Sequence, residues 1–133
     1  MITFVEEFVA LANQEWADAK DRIRWDSASE EVWHLILDQH PELVHTVVLN
    51  KTTPPSVLLR LAKDGNWRVR IFVAMTRRTP REAFEILAAD KDEGVRAQVA
   101  YNKKTPRDIL ERLAEDEEPR VSELARTRLA KLS

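Results

Sequence analysis

The stretch that decides the fold runs Thr79-Pro80-Arg81-Glu82-Ala83-Phe84-Glu85-Ile86-Leu87-Ala88-Ala89-Asp90, then Lys91-Asp92-Glu93-Gly94, then Val95-Arg96-Ala97-Gln98-Val99-Ala100-Tyr101-Asn102. Phe84 and Leu87 are three residues apart, and Val95 and Val99 are four apart; both spacings put apolar side chains on one face of a helix. The segment therefore reads as two helices joined by an acidic turn. Shifting it by 26 residues in either direction finds it again. Thr-Pro recurs at Thr53-Pro54 and Thr105-Pro106. Leu58, Phe84 and Leu110 align, as do Leu61, Leu87 and Leu113, and Val69, Val95 and Val121. Ala62, Ala88 and Ala114 form a further column, and Asp64, Asp90 and Asp116 another. One more step upstream gives a degenerate copy with Ser27, Val32, Leu35 and Asp38.

A single unit of this size cannot bury two apolar stripes, whereas stacked units cover one another. The expected fold is all-α: a right-handed α-solenoid of about four 26-residue helix–turn–helix repeats with an N-terminal capping helix. As one repeat domain over 1–133, it divides into a cap at 1–26 and repeats at about 27–52, 53–78, 79–104 and 105–133. The cap carries Phe4, Phe8, Leu11 and Trp16 on an amphipathic helix, and Trp33 packs in the core with Trp16. Thr79 is expected to cap a helix beginning at Pro80, with Glu82 as its reciprocal partner in a capping box; Thr105-Pro106-Arg107-Asp108 and Ser27-Ala28-Ser29-Glu30 are variants of that design. Pro41 and Pro119 suit helix starts. Arg126, in the column of Ala74 and Ala100, is expected to end the stack.

The signature Asn-x-x-Thr-Pro, Leu-x-x-Leu-Ala-x-Asp, Val-Arg-x-x-Val-Ala-x-Asn resembles the leucine-rich repeat variant family, a bacterial relative of HEAT-like helical repeats. The likeness covers about Ser27 to Leu129. It implies a helical scaffold and, by analogy with HEAT-like repeats, a ladder pairing an Asp with the Arg six residues on. Asp64–Arg70 and Asp90–Arg96 fit that pattern; Asp116 faces Ser122, and Asp38 faces Val44. Some members of the family carry a cysteine-rich cluster-binding segment. This chain has no cysteine, so that property does not transfer.

Composition narrows function by exclusion. Lacking cysteine, the chain can form no disulfide, thiolate nucleophile or cysteine metal site. The net charge of −2 gives no global attraction to nucleic acid or acidic membranes. No apolar run is long enough to span a membrane, and acids at Glu6 and Glu7 interrupt any signal-peptide core; a cytoplasmic location is expected. His34, His40 and His45 form no i, i+4 ligand pair, and phosphate-binding glycine loops are missing, so neither metal, cofactor nor catalysis is expected.

Candidate binding residues sit in columns that stacking does not require. With Val69 and Val73 inward, positions 71 and 75 of each second helix should face a concave groove. Those two columns read His45, Ile71, Ala97, Glu123 and Leu49, Met75, Tyr101, Thr127. Trp67, with Arg68 beside it, opens the same helix and has the character of a binding hot spot. The proposed concave site is thus Trp67, Arg68, Ile71, Met75 and Tyr101. A basic edge of Lys51, Arg77, Arg78, Lys103 and Lys104 occupies one repeat position, opposite the acidic turns. Such cations also complement helix C-termini without any ligand. The expected partner is another protein, with an immunity-type inhibitor as one form; the alternative is nucleic acid on the basic edge.

Overall fold

The computed structural model describes residues 2–14 and 17–132, and among them the fold is all-helical. Ten α-helices follow in order: α1 (Val5–Ala12), α2 (Ala17–Trp25), α3 (Glu30–Gln39), α4 (Val44–Leu49), α5 (Pro55–Leu61), α6 (Trp67–Met75), α7 (Arg81–Ala88), α8 (Glu93–Tyr101), α9 (Arg107–Leu113) and α10 (Pro119–Leu132). A short 3-10 turn at Pro41–Leu43 leads into α4. The chain gathers into two compact units, 1–58 and 59–133, with the division falling within α5.

In the first unit, α1 packs on α2 and α3. The region expected to hold one capping helix holds two. Val5, Phe8 and Leu11 are buried, and Phe8 meets Trp33 edge-on with ring centroids 5.5 Å apart. Trp33 is fully buried, as expected, while Trp16 lies outside the described residues. Phe4 departs from the expectation: it precedes the first helical turn and is 68% exposed, and Ile2 takes the buried place, its N–H donating to the Ser27 carbonyl at 2.6 Å. The degenerate first copy is also rotated. Leu35 faces outwards and Trp33 and Ile36 face in, because the bulk of Trp33 sets which side of α3 is covered.

In the second unit, α6 packs on α8 and α8 on α10, while α7 packs on α9. The inward columns are as the sequence implies: Phe84 with Leu87, Leu110 with Leu113, Val69 with Val73, Val95 with Val99 and Val121 with Ala125 are all buried. Three polar columns hold these layers, and two of them act differently from the reading above.

The first is the Thr of Thr-Pro. Thr79 does not cap the following helix; its hydroxyl donates 2.7 Å back to the Val73 carbonyl, and Thr105 does the same to Val99 at 2.6 Å. Thr53 donates to Val47 at 2.6 Å. Each of these carbonyls also accepts a backbone N–H at the helix end, Val73 from Thr76 at 3.1 Å and Val99 from Asn102 at 3.3 Å, and the hydroxyl adds a second donor from within the core. Pro80 and Pro106 then occupy the N-cap positions with extended ψ of 158° and 148°. No side-chain cap forms at α7 or α9; in the first copy Ser29, not Ser27, is the cap, accepting from the Val32 N–H at 3.3 Å.

The second is the Asp–Arg ladder. Each Arg pairs with the Asp of the next unit, not with its own carboxylate. Arg70 donates Nε to Asp90 Oδ2 at 2.6 Å and Nη2 to Asp90 Oδ1 at 3.2 Å. Arg96 meets Asp116 likewise at 2.8 and 3.3 Å. The third donor of each goes to the backbone of the unit's own Asp: Arg70 to the Asp64 carbonyl at 2.8 Å, Arg96 to that of Asp90 at 2.7 Å. Asp116, read from sequence as lacking an Arg, is thus fully engaged. Bonding and charge from the carboxylates raise the pKa of both arginines against the opposing effect of burial. For Asp116, burial acts to raise the pKa, but the bonds from Arg96 and the Glu118 N–H prevail and lower it.

A carboxyl with a lowered folded pKa stabilises the fold above its unfolded value near 4 and loses that contribution as pH falls through the native value. Asp116→Asn is therefore expected to flatten the acid side of the stability curve below about pH 4. Thermal midpoints measured between about pH 7 and 2.5 check this: parallel curves for the two proteins would contradict it.

The third column is Asn50 and Asn102. The Asn102 amide donates to the Ala74 and Thr76 carbonyls at 2.7 and 3.0 Å, and its Oδ1 accepts from the Lys104 N–H at 2.8 Å. Asn50 repeats this with the Ile23 and Asp26 carbonyls at 2.8 and 3.0 Å. Each is a clip between the ends of neighbouring helices.

Candidate functional site

The second unit carries a groove where α6 and α8 end. Met75 is the last residue of α6 and Tyr101 the last of α8. Beyond these ends come the cations Arg77 and Lys103, and the Asn102 clip fixes both chain exits together. Met75, Arg77, Gln98, Tyr101, Asn102 and Lys103 enclose about 250 Å³. Two residues expected on the concave face and two from the basic edge thus line one site. Its rim contains no carboxylate.

Tyr101 also borders a second, wider trough of about 670 Å³, with Ala97, Gln98, Arg120, Glu123, Leu124 and Thr127. The ring is 64% exposed and Met75 54% exposed. Gln98 does not stand in the columns four residues apart that mark the other candidates, but at three residues before Tyr101 it shares that face of α8. Arg120 and Leu124 on α10 also stand outside those columns.

The other candidates fall elsewhere. Trp67, followed by Arg68, opens α6 eight residues before Met75, which at 1.5 Å rise per residue is about 12 Å along the helix. Trp67 is 45% exposed, and the Arg68 guanidinium carbon lies 5.3 Å from its ring centroid, a cation–π contact. Ile71 is half-buried, its Cδ1 only 3.6 Å from where a β-carbon on Gly94 would stand. The expected column of open residues through 71 and 97 therefore closes at Ala97, which is buried beneath its neighbours. Arg78 and Lys104 are exposed but line neither hollow, and burial lowers the Arg78 pKa. Lys51, in the first unit, is exposed, its N–H donating to the Arg24 carbonyl at 2.6 Å.

Charge pairing separates scaffold cations from site cations. Arg70, Arg81, Arg96 and Arg107 all meet carboxylates: Arg81 joins Asp108 and Glu85, and Arg107 joins Glu111. Arg77, Lys103 and Lys104 have no carboxylate partner among the described residues. Of the acids at the opposite turns, Asp90 and Asp116 are committed to the ladder and Asp92 to the α8 N-terminus, where it accepts from Gly94 and Val95 at 2.8 and 3.1 Å. Among the described residues, no three histidine or acidic side chains gather in a metal-ligating arrangement. No described helix is long and apolar enough to cross a membrane.

One unit of the chain can be compared directly with a known family. Residues 93–118 match the leucine rich repeat variant family. That span is one full period of the repeat, from the start of α8 through the Thr-Pro loop and α9 to the next acidic turn. The resemblance stated from the sequence is borne out over this leucine rich repeat variant unit. It contains Arg96, Asn102, Thr105 and Asp116, the polar residues that hold the layers, together with Gln98, Tyr101 and Lys103 of the groove. No curated protein and no solved structure matches significantly.

Proposed function

We propose that this protein is a non-enzymatic, cytoplasmic binding scaffold: about four 26-residue helix–turn–helix repeats stacked as a right-handed solenoid, engaging another protein through the face formed by α6, α8 and α10. The observation that carries this reading is the groove itself. An exposed thioether and an exposed aromatic ring stand beside two cations without carboxylate partners, on chain exits joined by a buried Asn clip. Exposed aromatic and Met side chains with Arg alongside are the residue types enriched where proteins bind one another. Membership of one unit in a helical repeat family supports an interaction role without naming a partner.

The test is capture of bound proteins from a lysate of the native host, in the presence of nuclease, by wild type and by Met75→Asp/Tyr101→Ala. Both residues are exposed, so the variant's thermal midpoint should match wild type and certify its fold. A protein held by wild type and lost by the variant supports the reading. Capture that nuclease abolishes, or that the variant retains, moves the function away from this face and towards a nucleic acid on the Arg77, Arg78, Lys103 and Lys104 edge.

A further inference from the structure

Resting on that reading, we propose that the Met75–Tyr101 groove takes an acidic protein segment: one apolar side chain seated between Met75 and Tyr101, with carboxylates on either side reaching Arg77 and Lys103. The size of the hollow argues for a side chain. At about 250 Å³ it lies below the roughly 300–1,000 Å³ of pockets that enclose small organic ligands. Its chemistry argues for the sequence around that side chain. The floor offers Met75 and Tyr101, and the rim offers Arg77 and Lys103 with no carboxylate among the lining residues.

These cations are available. The scaffold arginines of the same unit are bound to Asp and Glu, whereas Arg77 and Lys103 have no such partner among the described residues. An incoming carboxylate therefore displaces no internal ion pair. Of the two polar amides lining the hollow, Asn102 is fully used in the clip. Asn102 sets geometry and leaves recognition to Gln98 and the apolar and charged groups.

A continuous polyanion fits less well. Moving from the groove past Tyr101 into the adjoining trough, a ligand meets Glu123 beside Arg120. A phosphate chain following α8 would run into that carboxylate, whereas a short acidic segment need not extend so far. The favourable charge is confined to a few residues, the length of a linear peptide motif.

The experiment is a titration of the full chain, labelled with ¹⁵N, with three synthetic pentapeptides: a central Trp flanked on each side by two Glu, by two Ser, or by two Lys. A twelve-residue oligo-dT is the fourth probe. The Glu peptide is expected to shift the amides of residues 75, 77, 98, 101 and 103, and to bind about tenfold more tightly than the Ser peptide at low salt, with the advantage shrinking as salt rises. Arg77→Glu/Lys103→Glu should reverse the order and prefer the Lys peptide, a gain that an unfolded variant could not show. Equal binding of the Glu and Ser peptides at these residues overturns the acidic specificity while leaving protein binding by this face intact. Shifts at these residues from oligo-dT exceeding those from the Glu peptide overturn both readings. Absence of any shift there with all three peptides overturns the groove as a peptide site.

Discussion

Replacing Asp90 with Ala is expected to cost about 3–5 kcal/mol, the usual penalty for removing one partner of a buried ion pair. Arg70 and Asp90 side chains are 8% and 6% exposed, so the orphaned guanidinium could not recover its hydration. The loss is compounded because Asp90 Oδ1 also accepts from the Asp92 N–H at 2.9 Å and so shapes the turn before α8. The equivalent change at Asp116 should cost less, since Arg96 and Asp116 are 19% and 12% exposed and water can partly compensate. Urea unfolding of both variants measures the difference. Replacing both Arg70 and Asp90 by Leu should be milder than Asp90→Ala, because no buried charge is then left alone. A double variant as unstable as the single one would mean that the ladder acts through something other than charge pairing.

Asn102→Ala should destabilise by about 2–4 kcal/mol. It removes three hydrogen bonds, each worth about 1 kcal/mol net, and leaves the Ala74 and Thr76 carbonyls to find other partners in a buried setting. It should also release the ends of α6 and α8 from one another, because the clip is what joins them at that point. The second effect separates it from a generic core defect: amide exchange at residues 75–77 and 102–105 should quicken more than the loss of global stability explains. Uniform acceleration across the second unit would show that the clip adds stability alone.

The periodic columns of this sequence told more about burial than about polar contacts. Phe84, Leu87, Val95 and Val99 are buried where helical spacing puts them, because burial depends on which face of a helix a residue occupies and spacing reports that directly. The ladder was harder to read for a reason built into repetition. In a 26-residue period, an Arg six residues after one Asp is also twenty residues before the next, so the same columns fit either pairing. Only distance decides, and it favours the next unit's carboxylate: Arg70 to Asp90 and Arg96 to Asp116. Thr79 is ambiguous in the same way. A hydroxyl before Pro is a fair helix cap on local grounds, but six residues upstream a carbonyl at a helix end has room for a second donor, and that contact exists only in three dimensions.

The groove lay partly in view. Met75, Tyr101, Arg77 and Lys103 were all singled out, but as two sites, since the sequence shows columns and not how a helix end brings an apolar column and a charged loop together. Trp67 was placed with them because it shares α6, yet it opens the helix that Met75 closes. In the first copy, Leu35 was aligned to a core column and lies outside it; the repeat there is too degenerate for alignment alone to fix the rotation of α3.

Asp90 serves two arginines at once, giving its carboxylate to Arg70 and its carbonyl to Arg96. A residue used in both directions makes its neighbours poor candidates for independent loss. Deleting a whole period in register would hand Arg70 the former Asp116 carboxylate, whereas a deletion of any other length would remove an acceptor on one side or a donor on the other. Duplicating a period in register would satisfy every rung it adds. A chain built this way can lengthen by whole 26-residue insertions far more readily than by any other number, and the register of its growth is written in one carboxylate per turn.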